Sequence, residues 1–147
     1  MGGILVNVRV QNNFSTLATK IQLWHQFGSN TVQNFTWSNV APNGNSTSYV
    51  EVFGSTADGH DYWQIMVTLK GDTVWEHTSW KTCTIESSDM NTYQTQNVSA
   101  GYWSIPLNSG GCTTTLQEVG SVAEDVKREP ESKKAAGTTK GDAPPAK

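Results

Sequence analysis

The chain has 147 residues and a net charge of −3, and its length predicts a single domain. The negative charge argues against a nucleic-acid partner, which needs a basic patch, and against strong electrostatic binding to anionic lipid. Every apolar run is much shorter than the roughly 18 residues of a membrane-spanning helix, so no such helix is predicted.

The composition of the chain changes near residue 117. Residues 4–117 contain every aromatic side chain and are rich in Thr, Ser, Asn and Val, whereas residues 118–147 contain no aromatic residue and many charged ones. The second segment lacks the apolar surface needed to offset its ordering entropy. We therefore predict a folded domain over residues 4–117 and a disordered, charged tail over residues 118–147. Acidic and basic residues balance in the tail, so the whole net charge belongs to the domain.

Alternating apolar and polar residues predict strands along the whole domain. The N-terminal MGGILVNVRV alternates in this way, and it has neither the basic start nor the long apolar run of a signal peptide. After the turn at Asn12-Asn13, alternate apolar positions mark a second strand at Ile21, Leu23, His25 and Phe27. Further strands are predicted at residues 35–37, 47–53, 62–70, 73–80, 82–86, 93–98, 102–107 and 113–117. Short strands at this even spacing predict an all-β fold, an antiparallel β-sandwich of roughly eight to ten strands.

One hairpin allows the two faces of a sheet to be assigned. The dipeptide Gly71-Asp72 separates the two clearest strands and is typical of a two-residue hairpin turn. This turn predicts Leu69 opposite Val74 and Trp63 opposite Trp80, on the face that contacts the core. The other face is polar with an aromatic stripe, at Tyr62, Met66, Trp75 and His77. A slip of one residue in the turn would exchange the two faces.

The remaining tryptophans divide in the same way. Trp37 and Trp103 occupy apolar strand positions and are expected in the core. Trp24 instead shares a strand face with Lys20 and Gln22, so it is expected to point outward. The candidate ligand-binding residues are therefore Trp24, Tyr62, Met66, Trp75 and His77.

An exposed aromatic stripe among polar side chains favours a binding function. Aromatic rings stack on sugar rings, and polar neighbours bond sugar hydroxyls, so we expect a non-enzymatic, lectin-like module that binds glycans. The same rings suit a membrane interface, which gives an alternative, a membrane-associating defence or pore-forming β-sandwich protein. A third reading is a structural or self-associating extracellular protein, a homo-oligomer. The plainest reading is that these rings pack under a loop, a second sheet or another copy of the chain.

The residues that carry chemistry are few. Cys83 and Cys112 are the only cysteines, and they form either one disulfide, which is favoured, or two reduced and buried thiols. No spacing of Cys and His indicates a metal site, and no nucleophile motif or phosphate loop indicates catalysis. We expect no enzyme activity, no metal and no cofactor. Four sequons for N-glycosylation, only mildly more than chance provides, begin at Asn13, Asn34, Asn45 and Asn97.

Several short motifs follow one another in a distinctive order. They are Asn12-Asn13, His25-Gln26-Phe27, Trp37 with a turn at Gly44, Asp61-Tyr62-Trp63, and Cys83 with Cys112-Thr113-Thr114. In the order and spacing of these motifs, residues 6–117 resemble the up-regulated in daf-two domain family of nematodes and fungi. The resemblance implies a small, often secreted, all-β domain without assigned catalytic residues. On that basis we expect an extracellular location.

Overall fold

A computed structural model describes residues 3–27, 32–55, 60–77 and 79–121. Within these ranges the chain forms twelve β-strands and one 3₁₀ turn at Ser87–Asp89, and none of its helical structure has the length and apolarity to span a membrane. The strands are β1 (Gly3–Asn12), β2 (Ala18–Phe27), β3 (Gln33–Val40), β4 (Gly44–Asn45), β5 (Val50–Ser55), β6 (Asp61–Leu69), β7 (Thr73–Glu76), β8 (Lys81–Thr82), β9 (Tyr93–Ser99), β10 (Tyr102–Ile105), β11 (Cys112–Thr114) and β12 (Gln117–Ser121).

The strands form two sheets that pack face to face. Sheet 1 has the order β11-β10-β9-β1-β4, with β5 also paired to β1, and sheet 2 has the order β12-β7-β6-β2-β3, with β8 also paired to β6. One apolar core lies between them and draws on both sheets, so the predicted all-β sandwich is confirmed.

One strand pair corrects the antiparallel prediction. The β1–β9 pair is parallel, with Asn7 beside Tyr93 and Arg9 beside Thr95, whereas every other pair in the described part of the chain is antiparallel. A hairpin turn forces an antiparallel pairing, but β1 and β9 are separated in the chain by seven strands, five of which belong to sheet 2. The direction of this pair therefore had no local signal in the sequence.

The alternation predicted for β1 and β2 places their apolar side chains between the sheets. Val6, Val8 and Val10 are fully buried, as are Ile21 and Leu23. The predicted core positions of Trp37, Trp63 and Trp103 are also confirmed, and each indole N–H finds an acceptor, as burial requires. Trp63 Nε1 donates to the Cys83 carbonyl at 2.8 Å, Trp103 Nε1 to Gln96 Oε1 at 2.9 Å, and Trp37 Nε1 to the Ser48 carbonyl at 3.1 Å.

The disulfide favoured by the sequence is present and joins the two sheets. Cys83 directly follows β8 of sheet 2, and Cys112 begins β11 of sheet 1, with an S–S distance of 2.01 Å and 6.1 Å between the Cα atoms. The two residues are 29 positions apart in the chain. An intramolecular disulfide is consistent with an extracellular location.

The C-terminal end of the described chain is a strand. Gln117–Ser121 forms β12 and pairs with β7, at the edge of sheet 2. This strand crosses the boundary predicted between residues 117 and 118. The rest of the predicted tail, residues 122–147, lies outside the described residues.

Candidate functional site

The hairpin on which the site prediction rested has a different register. Val67 lies opposite Trp75, Met66 opposite Glu76 and Thr68 opposite Val74, so the predicted pairing of Leu69 with Val74 is wrong by one residue. The difference lies in the turn, where the Asp72 N–H donates to the Leu69 carbonyl at 2.8 Å, while the Lys70 N–H donates to the Leu17 carbonyl beside β2, also at 2.8 Å. The loop therefore has three residues, 70–72, instead of two.

The one-residue slip moves Trp75 and His77 to the inner side of sheet 2. Trp75 is half-buried, packs against the main core and lies 5.6 Å from Phe14, measured between ring centroids. His77 has its ring 5.7 Å from that of Trp103, and its Nδ1 donates to the Thr115 carbonyl at 3.0 Å. The predicted outward position of both residues is therefore wrong.

The other three predicted residues do lie together on the outer side of sheet 2. Trp24, Tyr62 and Met66 form a second apolar cluster with Val74 and Trp80. Trp80 therefore lies on the outer side of sheet 2, where Trp75 was predicted. The predicted Trp63–Trp80 pair is wrong because Lys81 lies opposite Trp63. All five side chains are at most 5% exposed, so the expectation that Trp24, Tyr62 and Met66 form an open surface is also wrong.

The exposed aromatic side chains lie on the outer face of sheet 1 instead. Tyr93 on β9 is 68% exposed and Tyr49, just before β5, is 39% exposed. Their ring centroids are 5.0 Å apart in an edge-to-face arrangement, and the Arg9 guanidinium stands 5.1 Å from the Tyr49 centroid. Both contacts are favourable, each by about 1 kcal/mol at an exposed position.

Polar side chains of three neighbouring strands surround this pair. Asn7 lies between Glu51 on β5 and Tyr93 on β9, in one row across the sheet. In the next row along β1, Arg9 Nε donates to Thr95 Oγ1 at 3.0 Å. We call these six residues, Asn7, Arg9, Tyr49, Glu51, Tyr93 and Thr95, the tyrosine face.

The sequence held part of the signal for this surface. Tyr93 and Thr95 alternate with the buried residues Gln94 and Gln96, so strand alternation places Tyr93 on an outer face. What alternation cannot provide is the parallel β1–β9 pairing that brings Arg9 beside Thr95. The tyrosine face was therefore missed, since its members come from three distant segments.

A buried contact between His25 and Asp61 connects two of the motifs that carried the family resemblance. His25 Nε2 lies 2.8 Å from Asp61 Oδ1, and both side chains are fully buried. His25 Nδ1 lies 2.9 Å from Gln33 Oε1, an oxygen that also accepts the Phe53 N–H. Both ring nitrogens therefore lie within hydrogen-bonding distance of a side-chain oxygen. Buried inside the sandwich, this pair has no access to a substrate and acts as a structural contact.

The described part of the chain contains no group of three or more His, Cys, Asp or Glu side chains placed to hold a metal ion. Both carboxylate oxygens of Asp61 make structural contacts: Oδ1 lies beside His25 Nε2, and Oδ2 accepts the Ile85 N–H at 2.8 Å.

No protein-family model matches the sequence of this chain, and no curated protein matches it either.

Proposed function

We propose that this protein is a non-enzymatic binding module that takes carbohydrate on the tyrosine face. The observation that carries the proposal is the exposed, mutually contacting pair Tyr49 and Tyr93 in the middle of a polar sheet surface. The apolar C–H face of a sugar ring packs on an aromatic ring. The surrounding carboxylate, amide and guanidinium groups can bond its hydroxyls.

The local structure restricts the motion of both rings before any ligand arrives. Tyr49 contacts both the Arg9 guanidinium and the ring of Tyr93, and Arg9 is itself bonded to Thr95. Because a side chain that is already ordered loses less entropy on binding, this arrangement favours affinity. Tyr93 stands on β9 and Tyr49 directly precedes β5, so both rings are supported by strands of one sheet.

We also propose that the protein acts outside the cell. The cross-sheet disulfide supports this location, because disulfides persist in oxidising compartments. Extracellular glycans would then be the accessible partners.

A glycan array probed with the full-length, oxidised protein tests the proposal. The expected result is binding to one or more neutral glycans, followed by a loss of affinity of about tenfold or more in Tyr93→Ala and in Tyr49→Ala. Tyr93→Ala should lower the free energy of unfolding by only about 1 kcal/mol and Tyr49→Ala by about 2 kcal/mol, because the first removes the contact between the rings and the second also removes the Arg9 contact.

Tyr102→Ala is the matched control for these variants. Tyr102 is 44% exposed and stands on β10, where it pairs with Ser99, away from the tyrosine face. Its removal should leave binding unchanged. An array without signal, or binding that survives both Tyr49→Ala and Tyr93→Ala, would contradict the proposal.

A second candidate function is contact with a membrane surface. It is favoured by Phe53, which is 50% exposed and lies opposite Leu5 on the same outer face as Tyr49 and Tyr93. Aromatic and apolar side chains together suit the interfacial region of a bilayer. Sedimentation with zwitterionic phosphatidylcholine vesicles tests it, and binding lost in Phe53→Ser but kept in Tyr102→Ala would favour this candidate. Sedimentation velocity without vesicles measures the oligomeric state. A stable oligomer would indicate self-association through this face instead of either binding function.

A further inference from the structure

A polar groove of about 170 Å³ opens at the edge of the sandwich, between β3 and the segment 45–48. Exposed side chains of both segments line it, and they carry only hydroxyl and amide groups: Thr36, Ser38, Asn39, Asn45, Thr47 and Ser48. A charged ligand group would lose hydration there without meeting an opposite charge. The lining therefore suits a neutral, hydroxyl-rich ligand.

Buried side chains below the groove hold its wall in place. Ser46 Oγ accepts the Val10 N–H at 3.2 Å and donates to the Ser48 carbonyl at 3.1 Å. The Trp37 indole donates to the same carbonyl from the β3 side. Hydrogen bonds from β1 and from β3 therefore fix residues 46 and 48 at the base of the groove, so its shape does not depend on a ligand.

The groove opens beside the tyrosine face. Asn45 lies opposite Gln11, the Ser46 N–H donates to the Val10 carbonyl at 2.8 Å, and Val50 lies opposite Val8. Residues 47–49 therefore bulge away from β1 opposite Arg9. This bulge forms one wall of the groove and ends at Tyr49. A ligand that rests on Tyr49 therefore has the groove directly next to it.

We propose that the groove is a second subsite of the same binding site and that the ligand is an extended, neutral oligosaccharide. One sugar ring packs against the Tyr49–Tyr93 pair by stacking on one of its two nearly perpendicular rings, and the adjoining sugar places its hydroxyls among the polar groups of the groove. This inference rests on the proposed function, and it adds a dependence of affinity on the length of the sugar chain.

Titration with oligosaccharides of one to six units tests the inference. Neutral β-1,4-linked glucose, N-acetylglucosamine and mannose series serve as probes. The full chain, oxidised and made in a host that does not N-glycosylate Asn45, is titrated calorimetrically. Affinity should rise about tenfold or more between the monosaccharide and the longer oligomers. Thr36→Lys, which fills the groove from β3, should remove this gain and leave the affinity for the monosaccharide unchanged. Thr113→Lys is the control, because Thr113 is exposed on β11 and the substitution adds the same charge outside the site.

The possible outcomes separate the two proposals. Equal affinity for short and long sugars in the unmodified protein overturns the second subsite but leaves binding on the tyrosine face intact. A length-dependent gain that survives Thr36→Lys, or that Thr113→Lys removes equally, also overturns it. If Tyr93→Ala abolishes all binding and Thr36→Lys abolishes only the gain, both proposals are supported. If none of the sugars binds, the proposed function fails and the second subsite fails with it.

Discussion

Removal of the Cys83–Cys112 disulfide should destabilise the domain through its unfolded state. A cross-link between residues 29 positions apart restricts the unfolded chain. In the loop-closure model this restriction amounts to about 12 cal/mol/K, or about 3.6 kcal/mol at 25 °C. For a domain of this size the same change lowers the melting temperature by roughly 12–16 °C.

The variant that tests this value is Cys83→Ala/Cys112→Ala. Alanine is preferred to serine because Cys83 is only 2% exposed and a buried hydroxyl would add a cost of its own. The substitution keeps the Cys83 carbonyl that accepts the Trp63 indole N–H, so the adjacent core contact survives. Urea titration of the oxidised protein and of the double variant gives the two free energies of unfolding.

Two further observations check the physical reason. The slope of the free energy against urea concentration should be steeper in the double variant, because an unfolded chain without the cross-link exposes more surface. The unmodified protein under reductant should show the same stability as the double variant. A difference of less than about 1 kcal/mol between the oxidised protein and the variant would refute the loop-closure argument.

Three other changes test contacts inside the sandwich. His25→Phe leaves Asp61 Oδ1 buried without its hydrogen-bond partner, and urea titration should show a loss of about 1–3 kcal/mol, whereas an unchanged free energy of unfolding would contradict a structural role for this contact. Trp80→Ala should lower the free energy of unfolding by about 3–5 kcal/mol, because Trp80 is buried. Trp75→Ala should lower it by only about 2 kcal/mol, because Trp75 is partly buried, and the opposite order would argue for the two-residue turn. Gly54→Ala would bring a Cβ within 2.9 Å of Asp61 Oδ1, so thermal unfolding should show a loss of about 1–3 kcal/mol, and an unchanged melting temperature would rule out this close approach.

Much of the fold could be predicted because strand alternation is a local signal. The buried positions of β1 and β2, and the burial of Trp37, Trp63 and Trp103, follow from apolar residues repeating at every second position. The same period of two makes face assignments fragile, since one extra loop residue exchanges every side chain between faces. Gly71-Asp72 fits a two-residue and a three-residue loop alike, and the structure has the longer one, with the Asp72 N–H bonded to Leu69 and the Lys70 N–H bonded to Leu17 from a distant segment.

The candidate site was harder to predict because both faces of β6 are buried. Every residue from Asp61 to Leu69 is buried, including Tyr62 and Met66, whose polar neighbours predicted an exposed surface. Alternation indicates which side chains share a face, but it does not indicate whether that face is open to solvent. Sheet 1 carries the open aromatic face, and its assembly depends on the parallel β1–β9 pair, for which the sequence has no local rule.

The residues that carry the family resemblance and those that carry the proposed function are different sets. His25 and Asp61 form the buried pair, and Cys83 and Cys112 join the two sheets. Asn12 makes three hydrogen bonds where β1 ends, donating to the carbonyls of Thr16 and Val40 and accepting the Phe14 N–H. These contacts build a scaffold, whereas the side chains of the tyrosine face lie on the outer surface of sheet 1. A scaffold can host many binding surfaces. A protein with these motifs but without the tyrosine pair should therefore share the fold and lack the binding.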